Sequence, residues 1–348
     1  MKKILFTGGG SAGHTVPNLA LISHLEKHGG YTPYYAGTGG IEKRLVAPAG
    51  IPFYEISCPK LVRSFTVKNL KIPFELVKAV RAAREILREI RPDLVFSKGG
   101  FVSLPFCLAA HKEKIPVLTH ESDLSPGLAT RLVAKKCRYV LTSFPETAKK
   151  FKNGRFTGSP LREELFEAAR KKRSGKNGKK TLLAFGGGSG AAAINNAIFQ
   201  NLDELTSRFR VVHILGEKNI TAAPVRQSYT PLAYAENMGE AYAEADVVLA
   251  PAGRNTLFEI AALRIPALIV PLEKGSRGDQ KENAEYFFSK GLISVSSEAA
   301  LADSLCAKLE AVLADEAMKN ALKNSPFATG GNRRIFSVIE ETLGVREK

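Results

Sequence analysis

One pattern limits the possible folds more than any other. A short apolar run, Lys3-Ile4-Leu5-Phe6-Thr7, meets the turn Gly8-Gly9-Gly10-Ser11-Ala12-Gly13 and then an apolar, helix-like stretch from Val16 to Leu25. The same arrangement returns 178 residues later (Gly186 against Gly8). There Thr181-Leu182-Leu183-Ala184-Phe185 meets Gly186-Gly187-Gly188-Ser189-Gly190 and a second stretch from Ala191 to Leu202. A buried strand, a glycine turn and a helix start make the first crossover of a parallel α/β sheet. Two such openings predict two Rossmann-like, doubly wound domains, for which 348 residues are ample.

The alternation continues between them. Tyr34–Gly37, Asp93–Ser97, Val117–His120 and Tyr139–Thr142 are short, apolar and bounded by turn residues, as strands covered on both faces require, with a helix expected over Glu75–Ile90. The second half repeats the scheme at Val211–Leu215, Asp246–Ala250 and Ala267–Val270. Glycine and proline in Thr157-Gly158-Ser159-Pro160-Leu161 break the pattern, so domains are expected over 1–160 and 161–330.

Composition narrows the class. With 44% hydrophobic and 24% charged residues the chain is an ordinary globular one. Cys58, Cys107, Cys137 and Cys306 show no metal-binding spacing, and the strand pattern at the N-terminus leaves no room for a secretion signal, so a cytosolic protein is expected. No stretch reaches the ~20 apolar residues of a spanning helix. A net charge of +16 favours anionic partners without choosing among them. Seven of the eleven residues from Arg170 to Lys180 are basic, yet no aromatic residue interleaves them. A solvated loop is expected there rather than a nucleic-acid surface.

A glycine turn at a helix start suits a phosphate or diphosphate. The expected second strand ends Tyr35-Ala36-Gly37-Thr38 without the acid a dinucleotide site uses, and neither turn carries the Lys-Ser/Thr pair of a P-loop. His14 follows the first turn, where an imidazole can take a proton at neutral pH; His24, His28 and His111 read as surface or helix positions and His213 as a strand residue. Gly253-Arg254-Asn255-Thr256-Leu257-Phe258-Glu259 forms another strand-to-helix turn, with Glu259 about one turn into its helix.

Five ordered segments make the reading specific: Gly8 to Asn18, Ser97-Lys98-Gly99-Gly100-Phe101-Val102-Ser103, His120-Glu121-Ser122-Asp123, Gly158-Ser159-Pro160-Leu161-Arg162 and Ser276-Arg277-Gly278-Asp279-Gln280. Over nearly its whole length the chain resembles the MurG family of bacterial N-acetylglucosaminyltransferases. The resemblance implies a GT-B fold, two Rossmann-like domains facing across a cleft, with a last helix over about 331–348 packing back on the first domain. It implies inverting transfer of GlcNAc from UDP-GlcNAc to the MurNAc C4 hydroxyl of undecaprenyl-diphospho-MurNAc-pentapeptide (lipid I), at the cytoplasmic face of the cell membrane. By the same resemblance His14 is the base, and Ser11, Ala12, Gly13, Asp123, Arg162, Gly188, Ser189, Ala235, Arg254, Asn255, Thr256, Glu259, Asp279 and Gln280 serve the donor. Glu259 takes the ribose, the Ala235 backbone the uracil and Gln280 the GlcNAc hydroxyls. Gly10, Gly13, Gly99 and Gly100 face the acceptor diphosphate.

Gly188 stands where a serine is usual, Pro251 where an arginine is, Arg254 at a usually small position and Asp123 at a common asparagine. No Asp-x-Asp motif occurs, so no metal or other cofactor is expected. Nine basic and three acidic residues from Lys60 to Arg91 surround apolar ones. Phe65, Leu70, Ile72 and Phe74 are expected to meet an anionic membrane, while Leu76, Val77 and Val80 are expected in the core. The alternatives are another GT-B nucleotide-sugar enzyme, such as an epimerase, or a catalytically weak nucleotide-sugar-binding protein.

Overall fold

The structure is a computed structural model that describes residues 1–10, 12–58, 72–170, 178–186, 191–272 and 279–345. It divides into two compact units, one of 1–162 with 331–348 and one of 163–330.

In the first unit seven parallel strands are described: β1 (Lys2–Thr7), β2 (Tyr31–Gly37), β3 (Phe53–Glu55), β4 (Leu94–Ser97), β5 (Val117–Glu121), β6 (Tyr139–Thr142) and β7 (Gly154–Phe156). They lie in the order β3-β2-β1-β4-β5-β6-β7. The register pairs Thr7 with Ala36 on one side and with Ser97 on the other. Ile4, Leu5, Phe6, Leu94, Val95 and Phe96 are fully buried, as a sheet covered on both faces demands. One face packs on the helices Ile72–Ile90 and Ser103–Lys112 through Val80, Ala83, Leu87 and Phe106. The other carries the helix Ala12–His28 and the C-terminal helix Asn332–Leu343, whose Ile335, Val338 and Ile339 join the core beside Leu21 and Leu25.

That return is held by specific polar contacts. Asn332 accepts the Leu161 N–H at 2.9 Å and donates to the Leu161 carbonyl at 2.7 Å, while the Gly331 N–H donates to Ser159 at 2.7 Å. At the far end Arg155 pairs with the Glu341 carboxylate and lies 3.5 Å over the Tyr139 ring. His24 is a helix position, as read, yet not an exposed one: it is buried, with its ring 4.4 Å from His28 and 5.5 Å from Phe336 of the returning helix.

The second unit holds six described parallel strands: β8 (Lys180–Phe185), β9 (Phe209–Ile214), β10 (Tyr229–Leu232), β11 (Val247–Pro251), β12 (Ala267–Val270) and β13 (Ser294–Val295), in the order β10-β9-β8-β11-β12-β13. The stretch expected as one helix from Ala191 to Leu202 is broken at Asn201, giving the helices Ala192–Gln200 and Leu202–Arg208. The outermost strands β3, β7, β10 and β13 escaped the sequence reading, because edge strands this short carry little apolar pattern. Of the basic stretch, 171–177 lies outside the described residues.

His213 on β9 is more than a strand residue. Its Nδ1 lies 3.0 Å from the Tyr229 hydroxyl and its Nε2 3.1 Å from Asn195 Oδ1, while the Asn195 amide donates to the Leu215 carbonyl at 3.1 Å. Oδ1 can only accept, so Nε2 carries the proton and Nδ1 accepts from Tyr229. Burial pushes the imidazole down from 6.5 to about 4. Between those values the unfolded chain binds a proton that the folded one refuses. The stabilisation is therefore complete above pH 6.5 and lost as pH falls toward 4, by roughly 3 kcal/mol. Denaturant midpoints should fall over that window, and less steeply for His213→Gln; equal slopes would remove His213 as the cause.

Candidate active site

In an open parallel sheet, ligands gather at the C-terminal ends of the strands where the strand order reverses. Each unit has one such point. In the first it lies between β1 and β4, at Gly8–Gly10 and Lys98–Gly100. In the second it lies between β8 and β11, at Gly186 and the Gly253 turn. The motifs singled out in the sequence thus meet in pairs, 90 residues apart in the first unit (Gly8 and Lys98) and 67 in the second (Gly186 and Gly253).

His14 lies in the first turn of the Ala12–His28 helix, with Gly13 beside it. Its Nδ1 is 3.1 Å from the Lys98 carbonyl oxygen. A carbonyl only accepts, so Nδ1 donates and the neutral ring carries its lone pair on Nε2. The Lys98 N–H in turn donates to the Thr7 carbonyl at 2.8 Å, which ties the two loops at their base. Two glycines are required by this closeness. A Cβ on Gly100 (φ +81°) would stand 2.9 Å from the Gly9 carbonyl oxygen and 3.5 Å from His14 Nε2, and one on Gly10 (φ +82°) would meet the Phe101 ring at 2.6 Å.

Three buried charged side chains brace this region: Lys98 and Glu121 lie inside segments singled out in the sequence but without a role of their own there, and Glu42 lies in none of them. Lys98, 1% exposed, reaches from beside Gly8 to the Ser122 hydroxyl. Glu42 folds under the first glycine turn: it accepts the Thr38 N–H at 3.0 Å, the Thr38 hydroxyl at 2.5 Å and the Gly10 N–H at 3.4 Å. An acid therefore does reach the end of β2, from the next helix, but it is spent on the loop backbone. Glu121 accepts the N–H groups of Asp123 and Gly127 at 3.0 Å each and the Thr130 hydroxyl at 2.6 Å, shaping the turn that carries Asp123. Their local signal was a charge next to a glycine turn or a strand end, which does not reveal a bracing role.

In the second unit the helix Arg254–Leu263 begins directly after Gly253, so Arg254, Asn255 and Thr256 form its first turn. Glu259 lies further along the same helix and accepts the Tyr242 hydroxyl at 3.0 Å. Ala235 is buried in the approach to the helix Met238–Glu244, whose Asn237 cap accepts the N–H groups of Gly239 and Glu240. Gln280 stands in the first turn of the helix Asp279–Ser289 and accepts the Leu272 N–H at 3.0 Å, which turns its NH2 into the donor end. Arg162 ends the first unit immediately before the helix Glu163–Arg170. Ser11, Gly188, Ser189 and the side chain of Asp279 lie outside the described residues, as do Phe65 and Leu70.

Val77 overturns one expectation. It is 52% exposed and Phe74 75% exposed, whereas Val80 is buried and Leu76 and Ile72 are partly covered. Exposed Phe74 and Val77 sit in the first turns of the Ile72–Ile90 helix, whereas the buried residues Ala79, Val80, Ala83, Leu87 and Ile90 begin two turns into it. Leu128 and Leu132 on the helix Leu128–Val133 are half-exposed as well, and both helices pack on Ser103–Lys112.

Two parallel-sheet Rossmann-like domains, each with a strand-to-helix turn at its switch point, place the chain in the GT-B fold class. Residues 4–142 match the glycosyltransferase family 28 N-terminal domain and residues 181–335 its C-terminal domain. The chain belongs to glycosyltransferase family 28. It is 42% identical over 353 residues, 98% of each chain, to a protein of Clostridium tetani named UDP-N-acetylglucosamine–N-acetylmuramyl-(pentapeptide) pyrophosphoryl-undecaprenol N-acetylglucosamine transferase. A Clostridium botulinum protein of the same name is 41% identical over 317 residues, 88% of this chain and 90% of that one. The crystal structure of Acinetobacter baumannii MurG superposes with a TM-score of 0.77 at 23% identity, covering 98% of this chain and all of that one, which bears on the fold.

Proposed function

We propose that this protein transfers GlcNAc from UDP-GlcNAc to the C4 hydroxyl of lipid I, with inversion, to form lipid II for peptidoglycan. The observation that carries this is the 42% identity to the clostridial transferase across 98% of both chains, since it spans the acceptor-side and donor-side motifs together. Transfer of labelled GlcNAc from UDP-GlcNAc to a lipid I analogue by the purified protein tests it; an inactive protein, or one that only epimerises the donor, would refute it.

Chemically, inversion is one displacement. The acceptor oxygen bonds to the anomeric carbon as the bond to the UDP oxygen breaks, the hydroxyl proton leaves to a base, and the electron pair departs with the diphosphate. His14 is the base in this reading, because its Nδ1–H donation to Lys98 leaves the Nε2 lone pair to receive the proton. Glu42 and Glu121 are poorer candidates, being committed to backbone and threonine donors. Growing charge on the leaving diphosphate is met by the start of the Arg254–Leu263 helix, by Arg254 and by the Gly186–Gly190 loop. Glu259 holds the ribose, the Ala235 backbone the uracil and Gln280 the sugar hydroxyls; Arg162 and Asp123, which belong to the first unit, serve the donor by the family resemblance alone. The acceptor diphosphate rests on Gly10, Gly13, Gly99 and Gly100.

The lipid substrate calls for a membrane-facing surface. No helix among the described residues is long and apolar enough to cross a bilayer. Phe74 and Val77 stand exposed on one helix with exposed Lys78 and Arg81 close by in the chain, and Leu128 and Leu132 stand half-exposed near exposed Arg131, Lys135 and Lys136, so apolar side chains lie among basic ones on both helices that pack on Ser103–Lys112. Replacing both Phe74 and Val77 by Glu should reduce sedimentation with phosphatidylglycerol vesicles by about 100-fold in affinity, from lost burial and added repulsion. The melting temperature should move little, because neither side chain is buried. Binding that is indifferent to these changes and to salt would exclude this surface.

A further inference from the structure

We infer that Tyr242 is a positioning residue of the donor site, fixing the Glu259 carboxylate in the orientation that receives the ribose diol. The inference rests on the reading of Glu259 as the ribose carboxylate. Tyr242 lies on the helix Met238–Glu244, 17 residues before Glu259, and is 2% exposed. Its hydroxyl donates to Glu259 Oε2 at 3.0 Å. Its ring meets Phe185 edge-on, with centroids 6.0 Å apart and planes at 84°. Phe185 is the last residue of β8, next to Gly186, where the second glycine loop begins. One buried side chain therefore touches both segments that converge on the switch point of this sheet.

The helix that carries Tyr242 is itself held. Asn237 caps its start, and Gly239 lies so close to the Glu163–Arg170 helix that a Cβ there would be 2.9 Å from the Glu164 carbonyl oxygen. A glutamate in mid-helix otherwise samples several rotamers, and ordering a long side chain costs on the order of 1–2 kcal/mol. The Tyr242 hydroxyl supplies that order before the ligand arrives. A carboxylate oxygen accepts more than one hydrogen bond, so Oε2 can serve Tyr242 and a ribose hydroxyl together. Pre-orientation of this kind strengthens binding without adding a contact to the ligand.

Tyr242→Phe keeps the ring against Phe185 and removes only the hydroxyl. The affinities of the full-length protein for UDP and 2′-deoxy-UDP should be measured for wild type, Tyr242→Phe, Glu259→Gln and the double variant. A site built to bond a hydroxyl rejects the analogue lacking it, so wild type should favour UDP at least tenfold. Tyr242→Phe should weaken UDP by about 5–20-fold and bring the preference to within about threefold of unity, with the kinetic loss falling on KM for UDP-GlcNAc more than on kcat. In the Glu259→Gln background the Tyr242 substitution should have little further effect, because the two act through one carboxylate. A Tyr242→Phe protein that keeps the wild-type preference, whatever its melting temperature, would leave Tyr242 a packing residue only. A Glu259→Gln protein that keeps the preference would instead overturn the ribose assignment itself, and the positioning role with it.

Discussion

Replacing His14 by alanine should lower turnover by roughly 10²–10⁴-fold, the usual contribution of a positioned general base, while UDP binding stays near the wild-type value. The split is the informative part. His14 belongs to the first unit and touches the Lys98 backbone, whereas the residues read as holding the nucleotide, Glu259 and Ala235, belong to the second. A structural histidine would not behave this way: losing one hydrogen bond to a carbonyl costs about 1 kcal/mol of stability and spares the chemistry. Unchanged turnover in a purified transfer assay would take His14 out of the mechanism. A slower reaction whose rate recovers with added imidazole would support the base role directly.

The second large effect is expected from a single methyl group. Gly100→Ala should cut activity by on the order of 100-fold, because the added Cβ meets the Gly9 carbonyl oxygen at 2.9 Å and crowds the His14 ring. Relief requires the two glycine turns to separate, which shifts the imidazole from the acceptor. Gly50→Ala is the matched control. Gly50 has a similar backbone angle, φ +65°, but nothing lies within 4 Å of its Cβ position, so it should lose only about 1 kcal/mol of stability and keep its activity. Equal losses in the two variants would mean that backbone strain alone, and not the closeness of the turns, explains the glycine.

Much of this molecule could be read before any coordinate was known. The twin glycine turns declared two parallel sheets because a strand buried on both faces is short and wholly apolar, and β12 and β6 begin and end where that reading put them. Helix ends were less legible. Val77 reads with Leu76 and Val80 as part of a core-facing helix surface, but only the tertiary structure shows that it is exposed while Val80 is buried. Buried charge was least legible of all. Glu42, Lys98 and Glu121 are each excused from the cost of burial by donors or acceptors up to 32 residues away, and polar residues in a sequence carry no mark of such partners.

The division follows from range. Strand, turn and helix start depend on residues within about ten positions of one another, so two sheets, their glycine crossovers and the family to which they belong were written in the linear order. Which nitrogen of His14 holds the proton depends on a carbonyl 84 residues on, and what steadies Glu259 depends on a tyrosine from a neighbouring helix. Such pairings exist once packing has brought distant segments within hydrogen-bond distance, and that is where the chemistry of this site was decided.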